Sequence, residues 1–479
     1  MNRAIGRVFV VGVVLFVAVV VNLTWLQVIR ADHLARQPEN RRELAKELRI
    51  ARGDIRAFDG STIARSVRRS GFYRRVYPQG VFAPQLVGYD TVRYGRSGLE
   101  QEMNDELLGR GRALGVRSLL DELLGRRPEG ADVITTLVPA VQKAAQQALV
   151  GKKGAVVALD PATGAILASA SAPDYDPGRV EQDWGRLSGD PDAPLLSRPT
   201  QGLYAPGSSF KVVTAAAALE TGVVTRTTSF VDTGTYVVYG GKVTNYGGTV
   251  FGPHTFETAL TQSINTTFGK VGNQLRRKRL VDYMQRLGFW QVPPLPLPEG
   301  SVAASGRYED GDLLPPEAAM DPLAVAWAAC GQEQVLATPL QMALVAAAVA
   351  NGGQVMAPYV VHEVRAHDGS VVERAEPEVW LSAIQPATAL ALNEMMQRVV
   401  TSGTGAAAAI EGVEVAGKTG TAERGDGTNL AWFIGFAPAA DPRVAIAVVV
   451  EDTLSTGGAE AAPLAADILR AALAEARLP

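Results

Sequence analysis

Three short segments of this 479-residue chain carry side chains suited to nucleophilic acyl transfer. In the first, Pro206-Gly207 breaks the chain just ahead of Ser208-Ser209-Phe210-Lys211, and an Ala-rich stretch runs on to Gly222. The pattern predicts a helix, with Phe210 to Thr221 as its body and Ser208 at its N-terminus, where peptide dipoles stabilise a developing negative charge. Lys211 then lies one turn on, along the same face. A serine hydroxyl needs a neighbouring base to become a useful nucleophile, and a desolvated lysine of depressed pKa can serve. Taken alone, Ser-x-x-Lys suits a capping serine followed by a surface lysine just as well.

The second segment is Ser263-Ile264-Asn265, within 261–268. A hydroxyl and an amide two residues apart face one cavity if the backbone there is a loop or an extended turn. The third is Lys418-Thr419-Gly420-Thr421, in a run that reads as a strand. The period of two sends Lys418 and Gly420 to one side and Thr419 and Thr421 to the other. A free edge on that strand would accept an extended peptide, and Gly420 would let the peptide backbone come close. Separately, these two segments also read as a helix cap and a hairpin turn with a cationic flank.

Other chemistries find little support. The single cysteine, Cys330, permits no intrachain disulfide and reads as a small buried hydrophobe in the apolar run 324–330. His33, His254, His362 and His367 are scattered without metal-ligand spacing, and no Gly-x-Ser-x-Gly elbow occurs. The net charge of -3 offers no overall attraction to nucleic acid. The basic run Arg276-Arg277-Lys278-Arg279 reads as a solvated helix face.

The elements that must position these residues follow from periodicity. Apolar runs 155–159 and 165–168 flank Asp160-Pro161-Ala162-Thr163-Gly164 and predict a β-hairpin. Three more strands are predicted near the C-terminus, over 414–423, 431–437 and 444–451, followed by an amphipathic helix over 463–475. Strands from both ends and a helix-rich middle, including 339–350, imply an α/β (α+β) domain. Its five-stranded antiparallel sheet would carry helices on both faces. Ahead of it, 132–137 reads as a strand and 139–150 as a helix with Pro at its start. Residues 33–47 are polar and helix-permissive, 71–78 are β-like, and 107–127 is rich in Leu, Arg and Gly.

Val8 to Ile29 holds 22 residues without a charge. As a helix it would span about 33 Å, enough for the hydrocarbon core. Arg3 and Arg7 precede it, which sets the N-terminus on the cytoplasmic side. No small-x-small cleavage site closes the run, so an uncleaved anchor is expected rather than a signal peptide. The organisation expected is a cytoplasmic N-terminus and anchor over 1–30, a non-catalytic pedestal over 31–150, and the α/β domain over 151–479.

Ser-x-x-Lys, Ser-x-Asn and Lys-Thr-Gly in this order are a joint signature of penicillin-binding proteins and serine β-lactamases. Here Ile264 stands in the middle position of the second motif. The chain resembles a class B, monofunctional penicillin-binding protein, a peptidoglycan D,D-transpeptidase, and is nearest to the actinobacterial, division-associated PbpA group. The resemblance extends through Gly154-Ala155-Val156-Val157-Ala158-Leu159-Asp160-Pro161, Ala172-Pro173-Asp174-Tyr175-Asp176-Pro177, Tyr204 to Ser208 and Ala337-Thr338-Pro339-Leu340-Gln341-Met342. Ahead of the domain, Arg52-Gly53-Asp54-Ile55 and Gly98-Leu99-Glu100 resemble motifs of class B members. Gly331-Gln332-Glu333 departs from the more usual Gly-Gln-Gly.

The resemblance implies that Ser208 attacks the carbonyl between the two terminal D-alanines of a stem peptide while Lys211 takes its proton. Ser263 relays a proton to the leaving amine with support from Lys418. Asn265 binds a substrate amide, and the hydroxyls of Thr419 and Thr421, flanking Gly420, hold the terminal carboxylate. The backbone N–H groups of Ser208 and Thr421 would form an oxyanion hole. An amine from a second stem then resolves the acyl-enzyme, and β-lactams would inhibit by acylating Ser208. No cofactor or metal is implied.

A D,D-carboxypeptidase or β-lactamase-like hydrolase would use the same residues with water as acceptor, and a silent division scaffold or a β-lactam sensor would need no turnover. A sensor would also need further membrane segments and a cytoplasmic effector. The roughly 120 residues between anchor and α/β domain fall short of a second enzymatic domain. The resemblance then implies a membrane glycan polymerase of the shape, elongation and division type as partner.

Overall fold

The computed structural model describes residues 2–25, 46–111 and 129–479. The chain forms two compact units, one comprising Met1–Ala51 and Ser66–Arg74, the other Arg52–Arg65 and Arg75–Pro479. In the first unit, helix α1 (Asn2–Thr24) presents Phe9, Leu15, Phe16 and Val21 as exposed side chains. Over the described residues alone, no helix is long and apolar enough to cross a membrane. The uncharged run expected as an anchor continues to Ile29, past those residues. The expectation for 33–47 lies mostly outside them, as does most of 107–127.

In the second unit, β1 (Ile55–Arg56) pairs antiparallel with residues 62–64, the start of β2 (Thr62–Arg69, which runs on into the first unit), and parallel with β3 (Asp132–Thr135). Helix α2 (Pro139–Ala148) follows, then β4 (Lys153–Leu159) and β5 (Ile166–Ala172), which form the expected hairpin. The middle of the chain supplies α3 (Lys211–Glu220), α4 (Phe256–Thr261), α5 (Asn265–Arg286) and α6 (Pro339–Ala350). Strands β6 (Val361–Arg365) and β7 (Val371–Arg374) come next, then helix α7 (Pro386–Ser402). The chain closes with β8 (Ala416–Glu423), β9 (Asn429–Ala437), β10 (Val444–Thr453) and α8 (Ala461–Leu473).

The principal sheet has the order β8-β9-β10-β4-β5, antiparallel throughout. Its strands alternate between two cores, as the period of two requires. Ala155, Val157, Ala445, Ala447 and Val449 face one core with α3 and α6, while Val156, Ala158, Val444, Ile446 and Val448 face the other with α2 and α8. Every residue of α6 from Pro339 to Val349 is buried, which explains a helix without a polar stripe. Because β8 ends the sheet, one of its edges is open.

β6 pairs with β3, so a ribbon from within the expected 151–479 domain completes the small sheet of the preceding segment. That sheet packs near a buried charge cluster. Arg52 donates to Glu100 Oε2 at 3.1 Å and to Asn104 Oδ1 at 2.7 Å, and Arg75 Nε donates to Glu100 Oε1. Glu100 is fully buried, and removing one partner of such a pair costs about 3–5 kcal/mol. The Arg52-Gly53 and Gly98-Leu99-Glu100 motifs thus meet in one structural clamp. The basic run at 276–279 lies within α5 at a break, where Arg276 has φ 63° and ψ 159°. Arg276, Lys278 and Arg279 are exposed, and Arg277 donates to Pro316 O at 3.0 Å.

Candidate active site

Pro206 and Gly207 do not start the α-helix directly. A 3-10 turn, Gly207–Phe210, carries Ser208, and α3 proper begins at Lys211. Several independent contacts pin this turn. Gly207 N–H donates to Gly331 O at 2.9 Å, Ser209 Oγ donates to Pro206 O at 2.7 Å, and Trp432 Nε1 on β9 donates to Ala205 O at 3.0 Å. Gly420 on β8 supports the turn from beneath. A Cβ there would lie 2.6 Å from Pro206 O, 2.9 Å from Ser209 N and 3.0 Å from Trp432 Cβ. Among the described residues, the close approach that Gly420 permits is to the nucleophile's own turn.

Lys211 and Lys418 are both fully buried and converge on one hydroxyl. Lys211 Nζ donates to Ser263 Oγ at 3.2 Å, Ser263 O at 2.7 Å and Asn265 Oδ1 at 2.6 Å. Lys418 Nζ donates to Ser263 Oγ at 3.0 Å and to Thr419 O at 2.8 Å. No hydrogen bond among the described residues joins the Ser208 hydroxyl to Lys211, and such links commonly tighten only in the complex. Ser263 sits in the loop between α4 and α5 with φ 61°, a left-handed conformation that costs a non-glycine residue about 1–3 kcal/mol. That backbone turns its carbonyl and hydroxyl toward the same ammonium group. Asn265 opens α5, and its Nδ2 donates to Thr244 O at 2.9 Å, which fixes the amide orientation.

Burial pushes the Lys211 ammonium down from its ordinary 10.5 to about 8. It pushes Lys418 well below that ordinary value, with the neighbouring Lys211 charge adding to the effect. Two ammonium groups on one hydroxyl oppose each other's charging, so a neutral amine is accessible near neutral pH. A neutral Lys211 can still donate to Ser263 O and Asn265 Oδ1 while its lone pair accepts a proton. Cys330 is buried behind this cluster, its Sγ donating to Asn265 O at 3.5 Å. Burial raises its thiol to about 11, which keeps it protonated and inert.

A cleft of about 840 Å³ lies against Ser208, Ser263 and Asn265 on one side and Thr419 and Thr421 of β8 on the other. Thr404 lies within 2.6 Å of Thr419, hydroxyl to hydroxyl, and Gly457 N–H donates to Thr421 Oγ1 at 3.2 Å. Thr404, Thr244, Trp432 and Glu423 were not singled out from the sequence. Only Glu423 had a legible signal there, since the strand period that groups Thr419 with Thr421 also includes it. Gly331 belongs to the segment that departs from Gly-Gln-Gly. Glu333, the departing residue, has φ 54°, a conformation that favours glycine.

Comparison with known proteins places this arrangement. Residues 154–470 match the family model described as penicillin binding protein transpeptidase domain, and residues 52–133 match that of penicillin binding protein A dimerisation domain. The chain is 38% identical to the peptidoglycan D,D-transpeptidase PbpA of Mycolicibacterium smegmatis, over 99% of this chain and 100% of the relative. Its fold is similar to penicillin-binding protein A from M. tuberculosis in a ceftriaxone acyl-enzyme complex. There the TM-score is 0.81 at 36% identity, covering 90% of this chain and 100% of that one. It is also similar to the D,D-transpeptidase domain of a peptidoglycan glycosyltransferase from Eggerthella lenta. That match has a TM-score of 0.79 at 38% identity, covering 89% and 98% of the two chains.

Proposed function

The chain belongs to the penicillin-binding protein transpeptidase family, and from that premise we propose that it is a peptidoglycan D,D-transpeptidase inhibited by β-lactams. The observation that carries the reading is the convergence of two buried lysines on Ser263, in the cleft that Ser208 also lines. Neutral Lys211 accepts the Ser208 proton as Oγ attacks the carbonyl between the terminal D-alanines. The oxyanion of the tetrahedral intermediate is held by the backbone N–H groups of Ser208 and Thr421, an interaction typically worth about 10²–10³ in rate. As the C–N bond breaks, Ser263 passes a proton to the departing D-alanine amine, and Lys418 steadies that hydroxyl. Asn265 binds the donor's backbone amide, and Thr419 and Thr421 hold its carboxylate. The amine of a second stem peptide then attacks the acyl-enzyme and releases Ser208.

An anchor over Val8 to Ile29 would hold the cytoplasmic N-terminus inside and the transpeptidase unit outside, where stem peptides are found. The exposed apolar side chains of α1 support that reading, since such a surface calls for lipid or protein cover. A membrane glycan polymerase is the expected partner, since residues 52–133 match a dimerisation domain and 154–470 a transpeptidase domain, neither of which makes glycan. The decisive experiment is mass spectrometry of the penicillin adduct, with the modified peptide mapped, together with cross-linking of synthetic stem peptides. A stable adduct on Ser208 and formation of dimeric stems support the reading. Release of the acyl group to water within seconds, with no cross-linked product, would overturn it in favour of a hydrolase.

A further inference from the structure

The cleft has walls of hydroxyls, amides, glycines and aromatic rings, with one formal charge among its described lining residues, the carboxylate of Glu423. Glu423 is the last residue of β8 and is exposed. An acidic residue at the end of an edge strand ordinarily keeps the edge soluble. Two observations set this one apart. It stands on the cleft face together with Thr419 and Thr421, whereas Ala422 between them is buried in the core. It also has no ion pair among the described residues, while the adjacent Arg424 is committed to Asp452 and Asp426.

We infer that Glu423 selects the acyl donor, by pairing with a cationic side chain on the residue that precedes the two terminal D-alanines. The inference rests on the transpeptidase reading above. If Thr419 and Thr421 hold the terminal carboxylate and Thr421 N–H holds the reacting carbonyl oxygen, a donor lying antiparallel along the open edge of β8 has its upstream part toward Glu423. Residues on one face of a strand recur every ~7 Å, about two residues of extended peptide. The residue before the scissile pair therefore lies about 3.4 Å short of Glu423, a gap that a long flexible side chain spans, so an ammonium group at its end can meet an uncommitted carboxylate. A carboxylate-bearing side chain at the same place meets a like charge, so the discrimination has both an attractive and a repulsive arm.

The test uses the full-length protein in detergent and donors of the form N-acetyl-X-D-Ala-D-Ala, with X as lysine, Nε-acetyl-lysine or glutamate. The readout is acylation of Ser208, measured with no acceptor amine present, so donor recognition is read by itself. For a carboxylate of this exposure the wild-type protein should prefer the lysine donor over its acetylated form by about fivefold. The preference should shrink as salt is raised. Glu423→Gln should bring the ratio close to one, and Glu423→Lys should invert the order so that the glutamate donor leads. Equal rates with all three donors in the wild-type protein, or an unchanged ratio in Glu423→Gln, would overturn the inference. Failure of every donor and of penicillin to acylate Ser208 would instead remove the transpeptidase reading on which it stands.

Discussion

The seat that Gly420 provides for the nucleophile's turn leads to a sharp expectation for Gly420→Ala. The new methyl carbon would stand 2.6 Å from Pro206 O and 2.9 Å from Ser209 N, where ordinary contact begins near 3.4 Å. Something must therefore move by about 0.5–0.8 Å. The strand beneath is hydrogen-bonded along its length to β9, and Trp432 is fully buried, so the 206–210 turn is the part that yields. Displacements approaching 1 Å in a reacting group cost on the order of 10²-fold in rate, so a 10- to 100-fold loss in the acylation rate constant is expected. Overpacking of this kind costs about 1–3 kcal/mol of stability, which a thermal melt would report beside the rate. The assay is time-resolved acylation by a fluorescent penicillin, with Gly425→Ala as the control, since a Cβ there meets nothing within 4 Å. Acylation by folded Gly420→Ala within about twofold of wild type would refute the argument that Gly420 positions Ser208.

Other expectations follow from the same geometry. With the Lys211 ammonium at about 8, the neutral fraction rises from about 10% at pH 7 to about 90% at pH 9, and the acylation rate should rise about ninefold with it. Because that value lies below the unfolded 10.5, the unfolded chain binds more protons between the two. Stability should therefore gain with pH across that window, a trend that denaturant titrations would lose in Lys211→Met. Thr404→Val removes the hydroxyl beside Thr419 and should raise KM for carboxylate-bearing donors about fivefold with a smaller change in kcat, read from steady-state kinetics. Glu333 occupies a left-handed backbone conformation, so Glu333→Gly should be more stable than Glu333→Ala by about 1 kcal/mol in denaturant melts.

The parts of the fold that were legible in the sequence are those written in local periodicity. The hairpin of β4 and β5 and the strands β8 to β10 appear where short apolar or strand-like runs are closed by turn residues, and α6 spans the expected 339–350. The three motifs were legible because each sits on its own local signal of helix start, loop or strand. What periodicity does not carry is pairing between distant segments. Nothing in 361–374 announces that this ribbon joins β3, and the partner of Thr419 lies on the unrelated stretch after α7. The contact of Gly420 with the 206–210 turn was hidden for the same reason, since a strand pattern shows that a backbone can come close without showing whose.

The pairing of β6 with β3 also bears on how the molecule is made. The segment matched as a dimerisation domain, 52–133, is synthesised long before its last sheet partners, which arrive roughly 230 residues later. Until then the outer edge of β3 is an open template, and closing it requires a long loop that contains Ser208, Ser263 and Asn265. A nascent chain made N-terminus first cannot finish this sheet until the helices around the cleft have emerged. Completion of the small sheet is therefore tied to arrival of the nucleophile's half of the cleft, and a fragment ending near residue 150 would keep an unpaired strand prone to association.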